Sequence, residues 1–99
     1  MEGYEYTPGM LRISKDLGWA LDSELREHCR RLLEEGGPKL TVDLSEVNHV
    51  CSANLVAFAY LGAIAQKTEK KLDLIVNARV GRAFEVAGFA EFAVLHVRE

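Results

Sequence analysis

The sequence predicts an α/β domain, a single mixed and mostly parallel β-sheet with helices, in the order β-β-α-β-α-β-α-β. Three observations lead there. A short alternating segment folds back on itself around Pro8-Gly9. Beyond it, apolar β-prone runs alternate with runs of helical spacing, the pattern of parallel strands joined by right-handed crossovers. With 99 residues, the chain can bury one modest core, so one domain over residues 1–99 is expected.

The elements follow in order. Residues 4–7 are β-prone, Pro8-Gly9 is a turn signal, and residues 10–14 alternate as a second strand of a hairpin. Residues 20–35 have helical spacing, with Leu21, Leu25, Cys29, Leu32 and Leu33 near one stripe. Asp22 or Ser23 falls in its first turn, Trp19 precedes it as a core or edge plug, and Gly36-Gly37-Pro38 ends it. Residues 39–44 form a strand with Leu40, Val42 and Leu44 on one face. Asp43, on the other face, suits a strand poorly and asks for a reason. A polar loop over 45–51 leads to a second helix from about Ser52 through 53–67. Residues 72–76 read as a strand and 78–87 as a third helix, with Val80, Phe84 and Ala87 at i, i+4 and i+7. Gly88 stands at a left-handed cap position, from which Phe89 would pack back on Phe84. A last strand covers 92–97.

The second helix is apolar nearly all round. Leu55, Phe58, Ala59, Gly62 and Ala65 form one face, and Val56, Tyr60, Ala63 and Ile64 a second. A chain this short rarely covers both, so the second face is a candidate contact surface.

Composition narrows the function classes. The chain is 48% hydrophobic and 27% charged, which suits a folded globular protein, and its net charge is −3. A mildly acidic balance argues against nucleic acid, since phosphate binding needs clustered cations. The basic groups Arg30-Arg31 and Lys67, Lys70, Lys71 sit beside Glu34, Glu35 and Glu69 and read as solvated helix surface. Residues 1–6 are acidic with no apolar run behind them, so no secretory signal is read. The longest apolar stretch, 53–65, falls short of the ~20 residues of a membrane span. Cys29 and Cys51 read as free thiols and the compartment as cytoplasmic.

No enzyme chemistry emerges. His28, His49 and His96 have no metal-ligand spacing, and His28 and its neighbour Cys29 face different directions on a helix. The acidic residues show no paired arrangement, and the glycines form no phosphate-cradling loop. Neither a metal nor a cofactor is expected. The informative junction is Cys51-Ser52-Ala53-Asn54. Ser52 at the helix start can act as a plain N-cap. The same amides and dipole would also favour a phosphate on its hydroxyl. Cys51 is either a small, partly buried side chain or a thiol activated by the helix N-terminus. His49, two residues back, is the nearest histidine in sequence.

The run Leu40-Thr41-Val42-Asp43-Leu44-Ser45-Glu46-Val47, then His49-Val50-Cys51-Ser52-Ala53-Asn54-Leu55, resembles the STAS domain, whose best-known members are anti-sigma factor antagonists. The family pattern there is an apolar strand ending Asp-Leu-Ser, a loop, then Asp-Ser/Thr-Ser/Ala-Gly-Leu opening a helix. Phe84-Glu85-Val86-Ala87-Gly88-Phe89 resembles the family's Leu-x-x-x-Gly-Leu. The likeness runs from about Met10 to the end, and the predicted order of elements is the family's. Asp43 and Leu55 match the pattern; Cys51 replaces its acidic residue and Asn54 its glycine. The resemblance places the regulatory phosphoserine at Ala53, which cannot be phosphorylated, and leaves only Ser52 with a hydroxyl. A variant with Thr-Ala-Gly at this place, similar to Ser52-Ala53-Asn54, belongs to STAS subunits of lipid-transporting ABC systems.

The expectation is a non-enzymatic protein-binding module with its surface on Cys51, Ser52, Ala53, Asn54, Leu55, Val56, Tyr60 and Ile64. The resemblance implies an anti-sigma factor or kinase-like ATPase as partner. The alternatives are a subunit packed on an ABC ATPase and a thiol sensor at Cys51. Neither nucleic acid nor membrane insertion is expected, and dimerisation is left open.

Overall fold

The computed structural model describes residues 3–17 and 23–98. β1 (Tyr4–Thr7) and β2 (Met10–Ile13) form the hairpin. They are followed by α1 (Ser23–Glu35), β3 (Lys39–Leu44), α2 (Ser52–Lys67), β4 (Lys71–Asn77), α3 (Ala78–Val86), a 3₁₀ turn (Phe89–Glu91) and β5 (Val94–Arg98). The strands lie side by side in chain order, β1-β2-β3-β4-β5. β1 and β2 are antiparallel and every later pair is parallel. The expected α/β class and element order therefore hold.

Register explains the layering. Leu11 lies opposite Val42, Val42 opposite Leu74, and Leu44 opposite Val76, so these side chains share one face. All are buried, in one cluster with Leu25 and Leu32 of α1, Phe58, Leu61 and Ala65 of α2, and Val80 and Phe84 of α3. The helices thus cover that face. The other face carries Asp73, enclosed by His96 (Nε2 to Oδ1, 2.9 Å), Lys39 (3.8 Å) and Lys71 (4.0 Å). Lys39 and Lys71 are directly paired across the strands, and the buried Asp73 carboxylate offsets their repulsion.

Several boundaries move. Trp19, Leu21 and Asp22 lie outside the described residues. His28 joins the buried side of α1 with Cys29, rather than facing away from it, because the aromatic rings of Tyr4 and Tyr6 cover it at 4.7 and 6.2 Å. Leu33 is only half-buried. Lys70 and Lys71 are not helix surface. Lys70 donates to the carbonyls of Gly36 (2.8 Å) and Gly37 (3.2 Å), and Lys71 opens β4. Arg30 and Arg31 do lie on a helix surface, paired with Glu27, Glu34 and Glu35.

β5 begins at Val94, later than expected. Gly88 takes the anticipated left-handed conformation (φ 81°), and Phe89 packs edge-on against Phe84 at 4.6 Å. The chain then makes a 3₁₀ turn instead of entering the sheet. Phe92 comes to lie against α2 at Gly62, where an added Cβ would meet Phe92 Cβ at 2.7 Å. A glycine is needed for that approach.

Candidate functional site

The candidate surface is assembled at the carboxyl end of β3, in the loop after it, and along α2. Asp43 ends the strand face with a reason: it is buried, and its Oδ1 accepts the backbone N–H of Ser45 at 2.9 Å. The carboxylate closes the turn that carries the chain off the sheet. Val47 fills the core beneath the loop. Asn48 N–H donates to Asp16 Oδ1 (2.7 Å), and Glu46 pairs with Arg12.

Asn77 is the residue that the sequence reading missed. Its Oδ1 accepts from Val80 N (2.9 Å), capping α3. Its Nδ2 donates to Val47 O (2.7 Å) and Ser45 O (3.4 Å), pinning the loop before α2. An asparagine before a helical run is a legible cap signal. The two bonds to a loop thirty residues earlier follow only from the parallel pairing of β3 and β4.

The helix start differs from the expected one. Cys51, not Ser52, is the N-cap, with extended φ −108° and ψ 173°. Its carbonyl accepts the first helical bond, from Leu55 N at 3.1 Å. Ser52 already lies within the helix, so its hydroxyl is not the cap; it is exposed. Asn54 turns inward, 1% exposed, and its Oδ1 accepts from Cys51 N at 2.9 Å and from the Cys51 thiol at 3.3 Å. The two departures from the family pattern are thus one unit: the residue replacing the acid is bonded to the residue replacing the glycine. The side chain of Asn54 reaches back to the N-cap amide, as a capping-box residue does.

The remaining surface residues divide by exposure. Ala53 is half-buried, and Leu55 packs against the core. Val56 and Tyr60 stand out, 65% and 69% exposed, and Ile64 is half-buried one turn further on. Ser52, Val56 and Tyr60 therefore face outward with Ile64 beside them, while Asn54 and Leu55 lie beneath.

The two thiols are not equivalent. Cys29 is buried under α2, and burial pushes it up to about 12, so it stays protonated. Cys51 is half-buried at the cap. Among the described residues no three His, Cys, Asp or Glu side chains cluster as metal ligands, and no helix is long and apolar enough to cross a membrane.

Comparison with known proteins adds two findings. The family model described as "Mlab, STAS domain" matches residues 5–97. A crystal structure of a Thermotoga maritima protein, described as a candidate anti-sigma factor antagonist, has the same fold. Its TM-score is 0.76 at 15% identity, over 97% of this chain and 85% of that one. No curated protein sequence matches.

Proposed function

The chain belongs to the STAS domain family, and from that premise we propose that residues 1–99 form one non-enzymatic regulatory domain that binds a protein through the start and outer face of α2. In this reading it acts in the cytoplasm as an anti-sigma factor antagonist does, on an anti-sigma factor of the kinase-like ATPase type. The observation that carries it is the pair Val56 and Tyr60, more than half exposed beside a helix start whose cap is fixed from within. Large apolar side chains held in water by a rigid helix suit a contact surface.

The switch is altered. Ala53 offers no hydroxyl where the resemblance implies the phosphoserine. Ser52 offers one on the first turn, exposed, where helix amides favour a phosphate. Either phosphorylation is lost or it has moved by one residue.

A second reading, a subunit packed on the ATPase of a lipid-transporting ABC system, is favoured by Ser52-Ala53-Asn54, which resembles the Thr-Ala-Gly variant of such subunits. A thiol sensor at Cys51 has less support, because its thiol already donates to Asn54.

Affinity capture from the source cell, with wild type beside the double variant Val56→Glu/Tyr60→Lys, tests the proposal. A kinase-like ATPase or sigma regulator retained by wild type and lost by the folded variant is the expected result. A transporter ATPase lost in the same way would establish the second reading instead. A partner held equally by both proteins removes the α2 surface. Intact-mass analysis after incubation with ATP and the captured kinase reports whether Ser52 is modified.

A further inference from the structure

The outer face of α2 does not stand alone. It forms one wall of a groove of about 540 Å³ whose other wall is α1. Cys29 and Leu61 make its floor; Val56, Tyr60 and Ile64 rise on one side and Leu33 and Arg26 on the other. From Val56 to Ile64 the wall runs about 12 Å, and from Arg26 to Leu33 about 10 Å, each two helical turns.

The charged side chains lining the groove are Arg26 and Arg30. Arg30, which also lines the groove, is bonded to Glu27 and Glu34, and Arg31 behind it to Glu35. Arg26 has no carboxylate partner among the described residues and is exposed. Its exposed guanidinium stands beside an apolar trough.

We infer that this groove receives an amphipathic helix of the protein partner, laid between α1 and α2, with an acidic side chain set against Arg26. The inference rests on the partner-binding reading of α2 and adds what that surface holds. Two helices wall the groove and present no open backbone edge, so an extended segment would leave its own N–H and C=O groups unmet. A helix arrives with those groups paired and offers apolar side chains at i, i+3, i+4 and i+7 to a trough two turns long. A second copy of this chain fits less well, because a two-fold contact would set the same concave trough against itself rather than a ridge into it.

The test uses the full ¹⁵N-labelled chain and two synthetic helical peptides with identical leucine stripes, one flanked by glutamate and its twin by lysine. The glutamate peptide should shift the amides of Arg26, Leu33, Val56 and Tyr60. The lysine twin should bind about fivefold more weakly, the range for reversing one rim charge. Arg26→Glu, an exposed change that leaves the fold intact, should invert the preference. Equal binding of the two peptides, an Arg26→Glu variant with the original preference, or shifts confined to Ser52 would each overturn the inference. So would self-association of the free chain, seen as concentration-dependent shifts of the groove amides, since a second copy would then hold the groove.

The captured partner separates this inference from the one beneath it. If Val56→Glu/Tyr60→Lys releases the partner while Arg26→Glu and excess glutamate peptide do not, the α2 surface stands and the groove occupant is wrong. If the double variant also retains the partner, the α2 reading fails with it.

Discussion

Asn54→Ala is the sharpest probe of the helix start. The substitution removes the acceptor of two bonds, from Cys51 N at 2.9 Å and from the Cys51 thiol at 3.3 Å. A backbone N–H bond of this kind contributes about 1 kcal/mol. Leaving the half-buried Cys51 amide without an acceptor costs about another 1 kcal/mol. The thiol bond, from a weak donor, adds a few tenths. The sum is about 2 kcal/mol, or roughly a 10 °C fall in Tm for a domain of this size. Chemical denaturation followed by circular dichroism measures it. Two companions decide the cause. Cys51→Ala loses the thiol bond and the sulfur acceptor that the capping box offers to Asn54 N–H, and should cost about 0.5–1 kcal/mol, less than Asn54→Ala. Ser52→Ala should stay within about 0.5 kcal/mol, because Ser52 is an exposed residue inside the helix and not its cap. A cost below about 0.5 kcal/mol for Asn54→Ala, with about 1 kcal/mol or more for Ser52→Ala, would refute this account and restore Ser52 as the N-cap.

Three further outcomes are expected. His28 is held below its ordinary 6.5, chiefly by burial and then by Arg31, against Glu24 and Glu27. The unfolded chain therefore binds the proton first. Stability should be flat above about pH 6.5 and fall as the pH drops below it, and His28→Leu should flatten that slope in pH-dependent denaturation. Asn77→Ala should cost about 2 kcal/mol, through the lost α3 cap and the loop carbonyl of Val47. Faster amide exchange at both Val80 and Asn48 is the signature, and exchange raised at Val80 alone would show that Asn77 does not hold the loop. In thiol titration with Ellman's reagent, the native chain should react at Cys51 and spare Cys29 until denatured; prompt reaction of both would contradict the burial of Cys29.

Much of the fold was legible in the chain because period and punctuation are local. Alternation at Leu40, Val42 and Leu44 and the turn at Pro8-Gly9 marked strands that the sheet contains. The αL position of Gly88, with Phe89 folded on Phe84, followed from the order of residues alone. β5 was read two residues early because Phe92 has strand propensity, yet its ring packs near the bare backbone of Gly62, a contact across thirty residues. The outer face of α2 was visible as a second apolar stripe, and the structure leaves Val56 and Tyr60 on it exposed.

The sequence by itself determined the class of fold, the order of its elements and the face of α2 left over once one core was filled, since hydrophobic period is written along the chain. Only the tertiary structure decided which residue begins α2, that Cys51 and Asn54 are one capping unit, that Asn77 ties the loop to α3, and that α1 supplies the second wall of a groove with Arg26 at its rim. The last two are meetings of side chains from distant segments, fixed by parallel strand pairing and helix packing, whereas the capping pair is local and turns on Cys51, not Ser52, keeping an extended backbone.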